Sequence, residues 1–153
     1  LKITFDTNVL VYAADVGAGN RHLRAAELLA RAGTANCVLT LQSLSEFYNV
    51  TTRKSGVDPE SASAFVREWS AAFAVVAANY GTLKAAMDAV RDHSIPFWDA
   101  MMWATARDAG CRLLLSEDFQ DGRELGGVLM LNPFLGKNEE IVNAAVQPAR
   151  RQP

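Results

Sequence analysis

Short apolar runs alternate with segments of helical periodicity along almost the whole chain. Leu1 to Phe5, Cys37 to Thr40, Ala74 to Val76, Leu113 to Leu115 and Val128 to Leu131 read as strands. Asn20 to Ala32 carries Leu23, Ala26, Leu28 and Leu29 on a helical pattern, and Gly33 can cap its end. Ser43 can start the next helix, with Glu46 at capping-box spacing and Leu44, Phe47, Tyr48 and Thr51 on one face. Asp58-Pro59-Glu60 opens a helix that runs to about Ala72. Thr82 to Asp92 presents Leu83, Ala86, Met87 and Val90, and Trp98, Met101, Met102, Thr105 and Ala109 repeat at helical spacing up to Gly110. Strands that alternate with helices predict an α/β domain, with a mainly parallel central sheet of four to five strands flanked by helices on both faces. The fully apolar Leu113-Leu114-Leu115 suits a buried parallel strand.

The chain of 153 residues is the size of one domain. Residues 1–136 form the expected domain, and residues 137–153 an extension with a short helix near Asn138 to Val146 and a basic tail from Pro148. Half of the residues are hydrophobic and the net charge is −2, which excludes a disordered chain. No run reaches the ~18 apolar residues of a membrane span. A near-neutral chain does not coat nucleic acid by bulk charge, although a local site remains open to it. No signal-peptide pattern stands at the start, and Cys37 and Cys111 lack metal or redox spacing and read as buried free thiols, so a cytoplasmic protein is expected.

The chemistry resides in the placement of a few acids. Asp6 follows the first strand and Asp118 follows Leu113–Leu115, which places both outside carboxyl ends of strands, where open parallel sheets bind ligands. Glu46 and Asp99 fall in the first turns of two helices, where the helix dipole favours the ionised form. Taken singly, each acid also reads as a cap, a dipole partner or a loop residue. If they converge, two carboxylates ~4–5 Å apart repel by about 3–4 kcal/mol at an effective dielectric near 20. Such a group must protonate or hold a cation, and oxygen-only donors select Mg²⁺ or Mn²⁺. That chemistry suits phosphodiester hydrolysis by activated water.

Four sequence stretches resemble, in order, the motifs of PIN-domain ribonucleases, and more closely those of VapC-like toxins of toxin–antitoxin pairs. They are Phe5-Asp6-Thr7-Asn8-Val9-Leu10, Leu44-Ser45-Glu46-Phe47, Phe97-Trp98-Asp99-Ala100 and Leu115-Ser116-Glu117-Asp118. Asn132-Pro133-Phe134 resembles the usual ending, so the likeness covers about residues 2 to 135. The resemblance implies a Mg²⁺- or Mn²⁺-dependent endoribonuclease with Asp6, Glu46, Asp99 and Asp118 around the metal. Asp6 and Asp99 would be direct ligands; Glu46 and Asp118 would act through water or a second metal. Ser116 would orient the site, and Thr7 and Asn8 would fix the turn. Glu117 and Asp121 compete with Asp118 for the fourth position, and Asp118 is preferred. Cleavage by activated water would leave 5′-phosphate and 3′-hydroxyl ends. His22 and His93 are isolated from every motif, which speaks against acid–base cleavage by histidine.

Arg21, Arg24, Arg53, Lys54 and Arg123 are candidates for RNA phosphate contacts, and a solvated helix face explains each equally well. Trp98 and Trp103 are expected in the core. The implied partners are an RNA substrate, a cognate antitoxin and a second copy of the chain in a homodimer, with no membrane. The alternative is an inactive PIN-like protein that only binds partners. A haloacid-dehalogenase-like phosphatase fits less well, because Asn8 stands where its second Asp is needed. With these four of the 17 acids set apart, 13 remain against 15 Lys and Arg, so the rest of the chain is mildly basic.

Overall fold

Each of the five apolar runs contains a strand in the computed structural model, which describes residues 1–148. The elements in order are β1 (Ile3–Phe5), α1 (Thr7–Ala14), α2 (Asn20–Ala32), β2 (Val38–Thr40), α3 (Leu41–Arg53), α4 (Pro59–Ala72), β3 (Ala74–Val76), α5 (Tyr80–His93), α6 (Phe97–Asp108), β4 (Leu113–Leu115), β5 (Arg123–Leu125), β6 (Val128–Leu131) and α7 (Glu139–Ala145). Four strands form one sheet in the order β1-β4-β6-β5, and β2 pairs with β3 in a second. A parallel bridge between Ile3 and Cys37 links the two, with the Ile3 amide donating to the Asn36 carbonyl at 2.9 Å. All strand pairs are parallel except β5 with β6.

Alternation along the strands places helices on both faces. Ile3, Phe5, Leu113, Leu115 and Leu131 point into one core with Val9, Leu28, Phe47 and Trp69. Leu114, Val128 and Met130 point into the other with Ala86, Ala100, Met102 and Trp103. A strand buried on both faces gains nothing from polar alternation, and this is why β4 is three leucines.

Three local readings need correction. Strand β5 was not expected, since Arg123-Glu124-Leu125 has only one apolar residue; it is an edge strand joined to β6 by Gly126-Gly127. Both glycines have positive φ, +55° and +78°, as a two-residue hairpin turn of the primed type demands. Helix α3 starts at Leu41 rather than Ser43, because Thr40 accepts the Ser43 amide and caps it. Glu46 therefore stands beyond the first turn, and no capping box forms there.

Helix α5 turns a different face to the core from the one expected. It buries Thr82, Ala86 and Ala89, while Met87 and Val90 are exposed. Small residues allow α5 to lie close against Ala100 and Ala104 of α6, and Thr82 Oγ1 donates to Asp108 Oδ2 at 2.9 Å.

The short helix expected after residue 137 is α7. Its Val142 and Ala145, with Val146 beyond it, lie in the larger core. Arg31 binds both the side-chain and main-chain oxygens of Asn143, which ties α7 to α2. The expected basic tail lies, from Ala149 onward, outside the described residues. No helix among the described residues is long and apolar enough to cross a membrane.

Candidate active site

The β1–β4 register creates the centre. Phe5 pairs with Leu115, so the next residues, Asp6 and Ser116, leave the sheet side by side. The Asp6 amide donates to the Leu115 carbonyl at 2.9 Å, the last ladder bond before the strands part. Asp6 caps α1 and accepts the Thr7 amide at 2.7 Å. Ser116 Oγ donates to its other oxygen at 2.6 Å.

Two neighbours of Asp6 bind Asp118 and Glu46, but not Asp99, to this pair. Asn8 Nδ2 lies 3.0 Å from Asp118 Oδ2, 3.2 Å from Ser116 Oγ and 3.4 Å from Asp6 Oδ2, so one amide spans both acids. The Asp118 amide donates to Ser116 Oγ at 3.1 Å. Thr7 Oγ1 donates to Glu46 Oε2 at 2.9 Å, and Gln42 Nε2 to Glu46 Oε1 at 2.8 Å. Thr7 and Asn8 therefore do more than fix the turn: each holds a second acid. Gln42 was not singled out from the sequence. Its position four residues before Glu46 on a helix was the available signal.

Asp6 is 6% exposed. Burial pushes its pKa from the ordinary 3.8 up to about 6; the Ser116 hydroxyl and Thr7 amide pull it down, and the charges of Asp118 and Asp99 add to the rise. Asp99, in the first turn of α6, is also raised, by burial first and then by the charges of Asp118 and Glu46. This is opposite to the direction expected from the helix terminus, which favours the ionised form of Asp99. Loss of water and two like charges outweigh one helix end.

Asp6, Asp99, Asp118 and Glu46 thus sense one another. Among the described residues, no Lys or Arg bonds to any of the four. Nor do three His, Cys, Asp or Glu side chains close into a ready metal cage among these residues. The centre is an open anionic cluster, and the buried Oδ1 of Asn8, whose Nδ2 contacts Asp6 and Asp118, has no donor among the described residues. Uncompensated carboxylates and an unused oxygen acceptor fit a hard, partly hydrated cation better than an all-protein cage would.

The competing acids are committed elsewhere. Glu117 accepts the Tyr12 hydroxyl and, at 3.2 Å, Arg21 Nε. Asp121 accepts the Asn132 amide at 2.8 Å, Asn138 Nδ2 at 2.7 Å and Lys137 Nζ at 2.6 Å, which together hold its pKa down.

The basic candidates do not form one surface. Arg21 reaches over the rings of Tyr12 and Phe134 beside Glu117. Arg24 binds Pro133, Glu27 and Asn143 and serves packing between α2 and the C-terminal segment. Arg53 and Lys54 are exposed at the end of α3, about 10 Å along the helix axis from Glu46. Arg123 donates to the His93 carbonyl on the edge strand, three strand positions and about 14 Å from β1. Trp103 is buried as expected, at 4%, but Trp98 is 62% exposed. Helix α6 turns Ala100, Met102 and Trp103 inward, which leaves Phe97 and Trp98 on the outer side of its first turn. Cys37 and Cys111 are free thiols, and burial raises the pKa of both.

The PIN domain family model matches residues 3–120, which is most of the chain and includes all four acids. The chain belongs to the PIN domain family. No curated protein matches it. Among solved structures this PIN domain is similar in fold to VapC20 of Mycobacterium tuberculosis, a sarcin–ricin loop cleaving toxin. The identity is 21% and the TM-score 0.62, over 73% of this chain and 86% of that one. A toxin–antitoxin complex from Klebsiella pneumoniae matches at 19% identity and TM-score 0.62, over 86% and 98% of the two chains. PAE2754 from Pyrobaculum aerophilum matches at 15% identity and TM-score 0.61, over 95% and 89%.

Proposed function

We propose that this PIN domain is a Mg²⁺- or Mn²⁺-dependent endoribonuclease, and that it acts as the toxin of a toxin–antitoxin pair. The observation that carries the reading is the group of acids gathered at the carboxyl ends of β1 and β4, to which no Lys or Arg bonds among the described residues. The toxins and toxin–antitoxin complexes that share the fold support the biological setting and a protein antitoxin as partner.

Asp6 and Asp99 are the residues that would hold the cation directly, with Glu46 and Asp118 binding it through water or at a second position. A divalent cation supplies charge neutralisation at the scissile phosphate and lowers the pKa of the attacking water. The protein does the rest by positioning. Ser116 and the Thr7 amide fix the two Asp6 oxygens, and Asn8 holds Asp118 at a set distance from them. Glu46, held by Thr7 and Gln42, would be the carboxylate that accepts the proton of the attacking water. Burial keeps Asp6 ready to gain from a cation, since its ionised form is costly without one.

Cleavage of a defined RNA tests the reading. Activity is expected with Mg²⁺ or Mn²⁺ and none in EDTA, and Asp99→Asn should abolish it while the circular dichroism spectrum is kept. Cleavage in EDTA would sink the metal mechanism. Expression of the wild type alone should stop growth and the Asp99→Asn variant should not; equal arrest by both would separate toxicity from the site.

A further inference from the structure

Three of the four site acids are joined through Thr7 and Asn8, and Asp99 is the exception. Its carboxylate accepts no bond from another side chain among the described residues, so its place follows from the first turn of α6. One amide reaches that turn. Gln42 Nε2 donates to Glu46 Oε1 at 2.8 Å and to the Trp98 carbonyl at 2.9 Å. The Trp98 carbonyl and the Asp99 amide belong to one planar peptide unit, so the second bond acts on the peptide that carries Asp99. Both hydrogens of the Gln42 amide are thereby used, one on each helix. A Gln four residues before a Glu is ordinary on a helix surface, but a bond across to α6, 56 residues away, is no part of that pattern. Packing does not set this gap, because α3 and α6 flank a cleft of about 560 Å³ whose walls include Gln42, Glu46, Ala77, Trp98 and Met101. Thr40, the cap of α3, meets Met102 Sδ at 3.2 Å; beyond it, no side chain of α3 other than Gln42 hydrogen-bonds to α6 among the described residues. The pKa of Asp99 is raised by burial and then by the charges of Asp118 and Glu46, so the two acids on either side of the gap repel.

We infer that Gln42 is a positioning residue, a neutral strap that fixes the gap between Glu46 and Asp99 and so joins Asp99 to the other three acids. This role rests on the metal-dependent ribonuclease reading and deepens it, since Gln42 acts through the acids it holds. The residue type fits the task. A Gln amide supplies two donors without positive charge. Arg or Lys would hold Glu46 as firmly but would neutralise it in place of the cation. Asn lacks one methylene of the reach, and an ionised Glu lacks the donors. Groups that orient ligating carboxylates tune cation affinity without touching the ion. A spacing set in advance also removes the cost of drawing two like charges together when the cation binds.

Calorimetric titration of the full chain with Mn²⁺ and steady-state cleavage of RNA test this together. Gln42→Met keeps the length of the side chain and removes both donors, and Gln42→Ala is the second variant; Gln42 is half-buried, so both should fold as the wild type does by circular dichroism. The Kd for Mn²⁺ should weaken about 10- to 100-fold in each. At limiting Mn²⁺, kcat should fall while the KM for RNA stays at the wild-type value, and added Mn²⁺ should restore most of kcat. A wild-type Kd for Mn²⁺ in both variants overturns the proposal. So does a loss of kcat that Mn²⁺ does not restore, which a plain staple between two helices would give. A raised KM at saturating Mn²⁺ overturns it equally, because it would make Gln42 a substrate contact. The two readings fail separately. A wild type that binds no Mn²⁺, or cleaves in EDTA, removes the metal-dependent ribonuclease and the strap with it; Mn²⁺-dependent cleavage indifferent to Gln42 removes the strap alone.

Discussion

Ser116 Oγ donates to Asp6 Oδ2 at 2.6 Å across the parallel pair β1 and β4, and the same oxygen accepts the Asp118 amide. One hydroxyl thus sets the spacing of two site acids and draws the Asp6 pKa down against the effect of burial. Hydrogen bonds to charged groups contribute about 1.5–3 kcal/mol. Ser116→Ala should therefore lower kcat/KM at neutral pH by about 10- to 150-fold. It should also move the acid limb of the pH–rate profile upward, because Asp6 becomes harder to ionise. Ser116→Thr keeps the hydroxyl and should restore most of both. A profile unmoved by Ser116→Ala would show that Asp6 ionisation does not govern the acid limb.

The raised pKa of Asp6 gives a stability signature in the absence of divalent cations. Its folded value of about 6 exceeds the ordinary 3.8, so between these values the folded protein keeps a proton that the unfolded chain has lost. Stability should then fall as pH rises from about 4 to about 7, by about 3 kcal/mol from Asp6 alone. Asp99 acts in the same direction. The lowered carboxyls Asp121 and Glu27 work the opposite way, but their contribution is complete once the pH exceeds their unfolded values near 4. Urea unfolding in EDTA should show the decline, Asp6→Asn should flatten it, and Mg²⁺ or Mn²⁺ should restore stability at pH 7.

The hydrogen-bond partners of Glu117, Asp118 and Asp121 separate three acids that lie close in sequence. Asp118→Asn should lose most cleavage with little change in stability. Glu117→Gln should retain catalysis near the wild-type level, because Glu117 serves Tyr12 and Arg21. Asp121→Ala should cost about 1–3 kcal/mol of stability, as the Asn132 amide and the buried Asn138 side chain lose their acceptor. Parallel assays of cleavage and chemical denaturation on the three variants decide the assignment, and a Glu117→Gln variant as inactive as Asp118→Asn would overturn it.

What could be read in advance depended on locality. Leu113-Leu114-Leu115 announces a strand buried on both faces, and Asp58-Pro59 announces a helix start, because each signal lies within a few residues of what it specifies. Helix α3 misled because Ser43 and Thr40 are both competent caps, and only the end of β2 selects Thr40. Helix α5 misled because its largest apolar residues lie on the face away from α6, where close approach requires alanines. Trp98 misled because its type suggests the core, while the direction of its helix face is decided by Ala100, Met102 and Trp103.

The sequence alone determined the alternation of strands and helices, the family, and the residue types at the four acidic positions. These follow from periodicity and from short motifs that act within one turn or strand. Only the tertiary structure decided which acids share hydrogen bonds, which basic side chains are consumed in packing, and that Trp98 faces solvent beside Glu46. The physical reason is strand order and register. Asp6 and Ser116 are 110 residues apart in the chain yet neighbours in space, because Phe5 pairs with Leu115. No local signal encodes that pairing, and the balance of burial and charge at Asp6 exists only once it has formed.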